Sequence, residues 1–185
     1  MSLTASQLAA RIRVPASFVL AAVYLVFSRP TPSRLAVGVA VALAGILLRA
    51  ASAGRLAKNQ SLAVSGPYAH TRNPLYLGSA LAGTGFAIAG GRWWFFLLLG
   101  LFFAAVYWPV MRNETAHLSR LFGEAFVAYT HAVPLFWPRF QAWRPLGTPP
   151  QPFQWERYWK NREYEALLAF AVIVAALWGK MLWMR

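Results

Sequence analysis

Two short stretches of this sequence combine residue types that could bind a charged ligand, residues 65–78 and residues 114–138. In the first, SGPYAHTRNPLYLG, the polar and aromatic candidates are Tyr68, His70, Arg72, Asn73 and Tyr76. Asn73 is a favoured helix N-cap and Pro74 suits the first helical position, so a helix is expected to begin there. Its positive end would meet the side chain of Arg72 and favour a carboxylate or a phosphate. The stretch therefore predicts a site for an anionic group.

The second stretch, ETAHLSRLFGEAFVAYTHAVPLFWP, predicts an amphipathic helix. One broad face of this helix collects residues at intervals of three and four: Glu114, His117, Leu118, Leu121, Phe122, Ala125 and Tyr129. We therefore expect Glu114 and His117 to reach one pocket. Either can act as an acid or a base. The chain offers few other side-chain carboxylates, since it has only five acidic residues, all of them glutamates.

The composition indicates that the chain is a membrane protein. Of the 185 residues, 58% are hydrophobic and 12% are charged, whereas a water-soluble domain carries about 25% charged residues. The absence of cysteine excludes disulfides and thiolate metal sites, and we expect no metal ion. The net charge of +13 comes from basic residues that flank apolar segments. Anionic membrane lipids are therefore the expected partners, and nucleic acid is not.

Five apolar segments predict an all-α, polytopic integral membrane protein with about five transmembrane helices: 14–27, 35–53, 75–89, 93–110 and 166–183. The third and fourth segments form a tight hairpin around Gly90 and Gly91. Small residues on the third segment favour close helix packing: Gly78, Ser79, Ala82, Gly83 and Gly85. Pro109 is expected to kink the fourth helix and to swing Glu114 toward the membrane interface.

The chain is more polar between residues 112 and 165, and cytoplasmic amphipathic helices are expected there. A proline-rich turn separates the helix that contains Glu114 from WERYWK, residues 155–160, which is expected to lie in the membrane interface. No internal repeat or low-complexity tract divides the chain. Residues 1–185 are therefore treated as a single membrane domain.

Lysine and arginine residues are distributed unequally between the two sides of the predicted membrane protein. Twelve lie on the side of the N-terminus and of both polar stretches, and five lie on the other side. The positive-inside rule then places the N-terminus and both stretches in the cytoplasm and the C-terminus outside. Arg49, inside the second span, is expected either to pair with Glu114 across the bundle or to snorkel to the interface.

At these two stretches the sequence resembles the membrane-embedded methyltransferases that include isoprenylcysteine carboxyl methyltransferase and the bacterial phospholipid methyltransferases. The family pattern GPY, three residues, R-H/N-P, one residue, Y and G is matched by residues 66–78. The second pattern, E-E, two residues, L, three residues, F-G, spaced tyrosines and V-P, is matched by residues 114–134. Three positions depart from the patterns: Thr115, Phe126 and Leu135. The resemblance covers residues 49–138, about half of the chain.

The resemblance implies an S-adenosylmethionine-dependent methyltransferase that acts on a lipophilic or membrane-embedded acceptor, by carboxylate O-methylation or amine N-methylation. It implies a cofactor-binding catalytic core at residues 49–138, followed at residues 139–185 by an interfacial helix and an extra transmembrane helix. The implied cofactor-binding residues are Tyr68, His70, Arg72, Asn73, Tyr76, Glu114 and Tyr129. The implied catalytic residues are Arg72, Glu114 and His117. The implied location is a bacterial inner membrane, with the active site facing the cytoplasm.

The chemistry of these residues fits such a cofactor, which carries a carboxylate, an ammonium, a sulfonium and an adenosine. Arg72 can grip the carboxylate, and Glu114 can meet the ammonium or the ribose. A tyrosine can face the sulfonium through a cation–π interaction. The changes at Thr115 and Leu135 leave the identity of the acceptor open. Two alternatives also stay open, an NADPH-dependent membrane reductase of the sterol reductase type and a non-catalytic membrane protein that binds a lipid or a partner.

Overall fold

The computed structural model describes residues 19–145, 147 and 149–184, and every regular element in these residues is helical. In chain order the elements are α1 (residues 19–27), α2 (Pro32–Ala53), a 3₁₀ turn (Gly66–Ala69), α3 (Pro74–Gly90), α4 (Trp94–Phe102), a π-helical turn (Phe103–Tyr107), α5 (Trp108–Ala132), α6 (Trp155–Lys160) and α7 (Tyr164–Trp183). The all-α prediction is confirmed for this part of the chain. Residues 14–18 of the first predicted span lie outside the described residues.

Three of the described helices are long and apolar enough to cross a membrane: Pro32–Ala53, Trp94–Ala132 and Tyr164–Trp183. They correspond to the second, fourth and fifth predicted spans. Helix α3 has 17 residues. At about 1.5 Å per residue it reaches about 26 Å, less than the hydrocarbon core of about 30 Å. The structure is that of a membrane protein, and the count of five spans stays a prediction.

Helices α2 and α3 pack with their backbones close together, because small residues face each other across the contact. A Cβ atom on Gly45 of α2 would stand 2.5 Å from both the Gly78 carbonyl oxygen and the Ala82 amide nitrogen of α3. This close approach is what the small residues of the third segment predicted. Gly83 instead faces Leu99 of α4, so the small residues of α3 serve two neighbouring helices.

The hairpin between α3 and α4 and the distortion near Pro109 both occur at the expected places. Gly91 follows α3 with a left-handed φ of 68°, a conformation that favours glycine. Helix α4 continues into α5 through the π-helical turn, which ends two residues before Pro109. Proline has no N–H to donate to the preceding turn, and the wider π turn accommodates that loss.

Contacts between the helix termini define two ends of the bundle. At one end, the Arg29 amide donates to the Gly90 carbonyl oxygen at 2.8 Å, and Lys180 Nζ donates to carbonyl oxygens at the end of α1. At the other end, the Asn161 side-chain amide donates to the Ala53 carbonyl oxygen at 2.9 Å. Helix α7 therefore runs antiparallel to α2. The loop before α3 and the short helix α6 lie at this second end.

Candidate functional site

Backbone hydrogen bonds hold the loop before α3 against the segment that follows α5. The Arg72 amide donates to the Pro134 carbonyl oxygen at 3.0 Å, and the Trp143 amide donates to the Ala69 carbonyl oxygen at 3.0 Å. Pro134 ends the helical path of α5 and leaves an extended segment free to pair with the loop. This pairing brings the two sequence stretches into one site.

Two side chains of the loop strengthen this attachment. The buried hydroxyl of Thr71 donates to the Phe136 carbonyl oxygen at 2.9 Å, and the side-chain amide of Asn73 donates to the Leu135 carbonyl oxygen at 2.9 Å. Helix α3 begins at Pro74, as predicted, but the Asn73 side chain makes no capping hydrogen bond. Asn73 therefore occupies the predicted N-cap position, but its side-chain amide bonds to Leu135 and does not cap the helix. The role of Thr71 was not predicted from the sequence, because its partner lies more than sixty residues away in the chain.

A cavity of about 530 Å³ opens between this loop, α5 and the beginning of α7. It is lined by seven of the eight residues named above as binding or catalytic candidates: Tyr68, Arg72, Asn73, Tyr76, Glu114, His117 and Tyr129. The volume is within the range of about 300–1,000 Å³ that is usual for small-molecule sites. Charged, polar and aromatic groups from both sequence stretches therefore meet in one concave surface.

His70 is the candidate that lies elsewhere. Its Nδ1 atom is 2.8 Å from the Arg139 carbonyl oxygen, and its own carbonyl oxygen accepts from the Arg139 amide. The ring lines a second cavity of about 640 Å³, whose other walls are mainly apolar and include Leu48, Leu77 and Trp143. The ring of His70 thus holds the loop to residue 139 and does not line the first cavity, and its assignment as a cofactor-binding residue stays a prediction.

Arg72 is half-buried in the first cavity, and its Nε atom is buried without a hydrogen-bond partner among the described residues. Burial lowers the pKa of the Arg72 guanidinium, because the charged form loses hydration. An arginine nevertheless stays protonated in proteins. Burying an unpaired donor carries an energetic cost, which an anionic ligand group would relieve.

Glu114 and His117 lie one helical turn apart on α5 and both line the cavity. The Tyr76 hydroxyl donates to Glu114 Oε2 at 3.1 Å, and His117 Nε2 lies 3.4 Å from Asn59 Oδ1. One wall of the cavity thus carries a carboxylate and an imidazole. These are the groups that can bind an ammonium or move a proton.

Tyr68 and Tyr129 form a buried aromatic wall behind Arg72. The Tyr129 hydroxyl donates to the Tyr68 carbonyl oxygen at 2.7 Å. Burial, followed by the nearby negative charge of Glu114, raises the pKa of the Tyr68 phenol. Tyr68 therefore stays neutral and offers a ring and a hydroxyl donor to a ligand.

Helix α5 is interrupted at Gly123, which has φ 53° and ψ −128°. The predicted helix face assumed an unbroken helix and placed Leu121 and Ala125 beside Glu114. Both are exposed, and Phe126 lines the cavity instead. The remaining members of the predicted face do line the cavity: Leu118, Phe122 and Tyr129.

The segment just before α7 brings two polar side chains to the cavity that were not predicted from the sequence. Glu163 and Asn161 both line it. Arg49 Nη2 donates to Glu163 Oε2 at 3.0 Å, so neither of the two expectations for Arg49, pairing with Glu114 or snorkelling, holds. The sequence carried one signal for this role: Glu163 is one of only five acidic residues, and it lies close before an apolar segment.

The chain has sequence relatives among curated proteins. It is 35% identical to the cobalt-zinc-cadmium resistance protein CzcN of Cupriavidus metallidurans over 149 residues, which is 74% of this chain and 66% of the relative. It is 34% identical to the nickel-cobalt-cadmium resistance protein NccN of Alcaligenes xylosoxydans xylosoxydans over 91 residues, 49% of this chain and 42% of the relative. The chain thus covers less than two thirds of the length of each relative. No solved structure matches it.

The family comparison agrees with the resemblance noted in the two stretches. The phospholipid methyltransferase family model matches residues 33–125, half of the chain. This range contains α2, the loop, α3 and the part of α5 that carries Glu114 and His117. The chain belongs to the phospholipid methyltransferase family.

Proposed function

We propose that the protein is an S-adenosylmethionine-dependent membrane methyltransferase that acts on a lipophilic or membrane-embedded acceptor. Membership of the family implies methyl transfer. The observation that carries the choice of cofactor is the buried Nε atom of Arg72, which has no partner in the described part of the chain. It lies in a cavity that also offers a carboxylate and several tyrosines, the set of groups that this cofactor needs.

We assign residues of the cavity to the charged and aromatic parts of the cofactor. Arg72 would hold the carboxylate, and Glu114 would hold the ammonium or the ribose hydroxyls. Tyr68, Tyr76 or Tyr129 would pack against the adenine or face the sulfonium. Asn73 lines the same wall, with its side-chain amide bonded to Leu135. When bound, S-adenosylmethionine supplies an electrophilic methyl group on its sulfonium.

The chain itself would contribute orientation and exclusion of water. Methyl transfer needs the nucleophile and the methyl carbon in line, and the residues that line the cavity would hold them so in a water-poor site. An acceptor carboxylate would need no base. An acceptor amine would need one, and Glu114 or His117 would take its proton. The proposed catalytic residues are therefore Arg72, Glu114 and His117.

An acceptor could reach the cavity from the bilayer between α3 and the π-helical turn. Tyr76 and Tyr107 line the cavity there, with ring centroids 5.2 Å apart, and Tyr107 stacks on Phe103 at 4.5 Å. A π turn inside a helix often marks a functional site. The polar cofactor would arrive from the loop end, which we propose faces the cytoplasm of a bacterial inner membrane rich in anionic lipids.

We further propose that residues 49–138 form the catalytic core of the single membrane domain 1–185. Residues 139–185 would then add an interfacial helix, α6, and a transmembrane helix, α7. The division is one of function only, since Asn161 and Glu163 line the cavity together with residues of the core.

Calorimetric titration of the purified protein with S-adenosylmethionine and, separately, with NADPH tests the proposal. We expect binding of the first and none of the second. A nicotinamide dinucleotide carries several phosphates, whereas the described residues offer the cavity only Arg49, Lys58 and Arg72 as cations, and Arg49 is already paired. Binding of NADPH alone would support the reductase alternative, and binding of neither would support a non-catalytic lipid-binding or partner-binding protein.

The departures at Thr115 and Leu135 make a prenylcysteine an unexpected acceptor. A transfer assay with labelled cofactor should therefore show weak methylation of a farnesylcysteine analogue compared with extracted bacterial lipids or small lipophilic molecules. Efficient methylation of the farnesylcysteine analogue would contradict this expectation and identify a prenylcysteine methyltransferase.

A further inference from the structure

A carboxylate from outside the family match lies in the wall of the cavity. Glu163 precedes α7 and is 6% exposed. Among the described residues it is the sole charged side chain that is buried. The family model ends at residue 125, so neither that match nor the two sequence stretches assign a role to Glu163.

Glu163 fixes the side chain of Arg49 at the inner end of the cavity. Arg49 Nη2 donates to Glu163 Oε2 at 3.0 Å, and Arg49 Nη1 donates to the Leu75 carbonyl oxygen at 3.3 Å and also to Ser79 Oγ. Room for the arginine comes from Gly78, where a Cβ atom would stand 2.6 Å from Arg49 Cγ. The guanidinium is thus held in one place by α3 and by the residue that precedes α7.

The charges around the cavity explain why this pairing bears on the ligand. Of the residues that the structure describes, three cationic side chains line the cavity, those of Arg49, Lys58 and Arg72, and two anionic ones, those of Glu114 and Glu163. S-adenosylmethionine has one net positive charge, because the charges of its carboxylate and its ammonium cancel and that of its sulfonium remains. S-adenosylhomocysteine lacks the sulfonium charge and is neutral. An uncompensated Arg49 would repel the first ligand more than the second.

We propose that Glu163 is a positioning residue that neutralises Arg49 and thereby lets the cavity accept a cationic sulfonium. The proposal rests on the proposed function and deepens it, because it assigns to the C-terminal segment a part in distinguishing the methyl donor from its demethylated product. Glu163 acts through Arg49 and is not a catalytic residue.

The test compares the affinities of the intact protein for S-adenosylmethionine and S-adenosylhomocysteine by calorimetric titration. In Glu163→Gln the ratio of the two affinities should shift against S-adenosylmethionine by about tenfold, the effect of one nearby unit charge in a partly screened site. The matched control is Glu165→Gln, which removes a carboxylate two residues away that is exposed and paired with Arg162. The control should leave the ratio unchanged.

Two further variants separate charge from structure. Arg49→Gln alone should shift the ratio in favour of S-adenosylmethionine, and it also supplies the measurement if Glu163→Gln does not fold. Arg49→Gln combined with Glu163→Gln removes one charge of each sign and should restore the parental ratio.

Each other outcome overturns the proposal. Equal losses of affinity for both ligands in the Glu163→Gln protein would mean that Glu163 only supports the fold. An unchanged ratio in both single variants would mean that the ligand does not sense this charge. If the parent protein binds neither ligand, the proposed function fails together with this proposal, whereas normal parental binding with an unchanged ratio overturns this proposal alone.

Discussion

The guanidinium of Arg72 has a buried Nε atom without a hydrogen-bond partner in the described part of the chain. Replacing Arg72 by alanine should therefore weaken S-adenosylmethionine binding by about 1.5 to 3 kcal/mol, the usual contribution of a hydrogen bond to a charged group. This corresponds to about tenfold to a hundredfold in affinity, measurable by titration calorimetry.

The control for Arg72→Ala is Arg120→Ala, because Arg120 is an exposed side chain on α5 that does not line the cavity. The control should bind the cofactor like the parent protein. If Arg72→Ala also binds normally, the cavity between the two sequence stretches is not the cofactor site.

Glu114 can hold the cofactor or act as a base, and the two roles differ in their kinetic effects. If Glu114→Gln lowers cofactor affinity while turnover at saturation survives, the carboxylate is a binding group. If binding survives and turnover falls, it is a base. Because Glu114 accepts from Tyr76 and faces the same cavity as Arg72, we expect the loss to fall mainly on affinity.

Glu124→Gln is the matched control for Glu114→Gln, since Glu124 is exposed on the same helix. It should change neither constant. A Glu114→Gln protein with parental affinity and turnover would remove Glu114 from the proposed site.

The placement of individual side chains could be predicted where short-range motifs determine it. Arg72 and Glu114 belong to compact patterns, and the structure brings them to one cavity. The pair of Arg49 and Glu163 could not be predicted, because 114 residues separate its members and only the packing of α7 brings them together. The ring of His70 turned away from the cavity for a similar reason, since its partner is a backbone oxygen of residue 139.

The contact between α2 and α3 positions the loop that carries Arg72. This contact depends on glycine residues, which have no side chain to hold the two helices apart. Gly45→Ala would place a methyl group 2.5 Å from backbone atoms of Gly78 and Ala82, so the helices would have to separate. We expect a loss of stability of about 1–3 kcal/mol, the usual cost of overpacking. The midpoint of thermal unfolding of the detergent-solubilised protein should fall accordingly.

Gly179→Ala provides the matched control, because no atom of the described residues lies within 4 Å of a Cβ atom at that position of α7. There the added methyl group should be neutral or slightly stabilising, since alanine has the higher helix propensity. Equal unfolding midpoints for the two variants would show that the close approach of α2 and α3 contributes nothing to stability.

The positions of the long helices could be predicted from the length and composition of the apolar segments, whereas the irregularities inside the helices could not. The break at Gly123 falls in the middle of a regular amphipathic pattern, and an isolated glycine in such a pattern is usually tolerated without a break. Pro109 did predict a distortion, but its form, a π turn that brings Tyr107 to the cavity, depends on packing against α3.

Exposed tryptophans flank α7 at both of its ends. Trp155 and Trp159 are exposed before its start, and Trp183 is exposed at its end. Helix α7 itself has 20 residues. At about 1.5 Å per residue they span about 30 Å, the thickness of the hydrocarbon core. The arrangement is the one expected of a spanning helix with interfacial anchors, and on that expectation the cavity should lie near one membrane surface.

The described basic residues are concentrated at the cavity end of the bundle. Ten lie there: Arg55, Lys58, Arg72, Arg112, Arg120, Arg139, Arg144, Arg157, Lys160 and Arg162. Four lie at the opposite end: Arg29, Arg34, Arg92 and Lys180. Since positive residues are retained in the cytoplasm, the cavity should open to the cytoplasm and α7 should end outside.

Reporter fusions test this orientation, because alkaline phosphatase is active only outside the cytoplasm and green fluorescent protein fluoresces only inside it. A fusion after residue 185 should give phosphatase activity, and one at the N-terminus should give fluorescence. Truncated fusions after Gly91 and after Pro145 serve as internal controls for the outer end and the cavity end. Fluorescence from both terminal fusions would mean that α7 does not cross the membrane, and that Glu163 reaches Arg49 from a helix that enters and leaves on the cytoplasmic side.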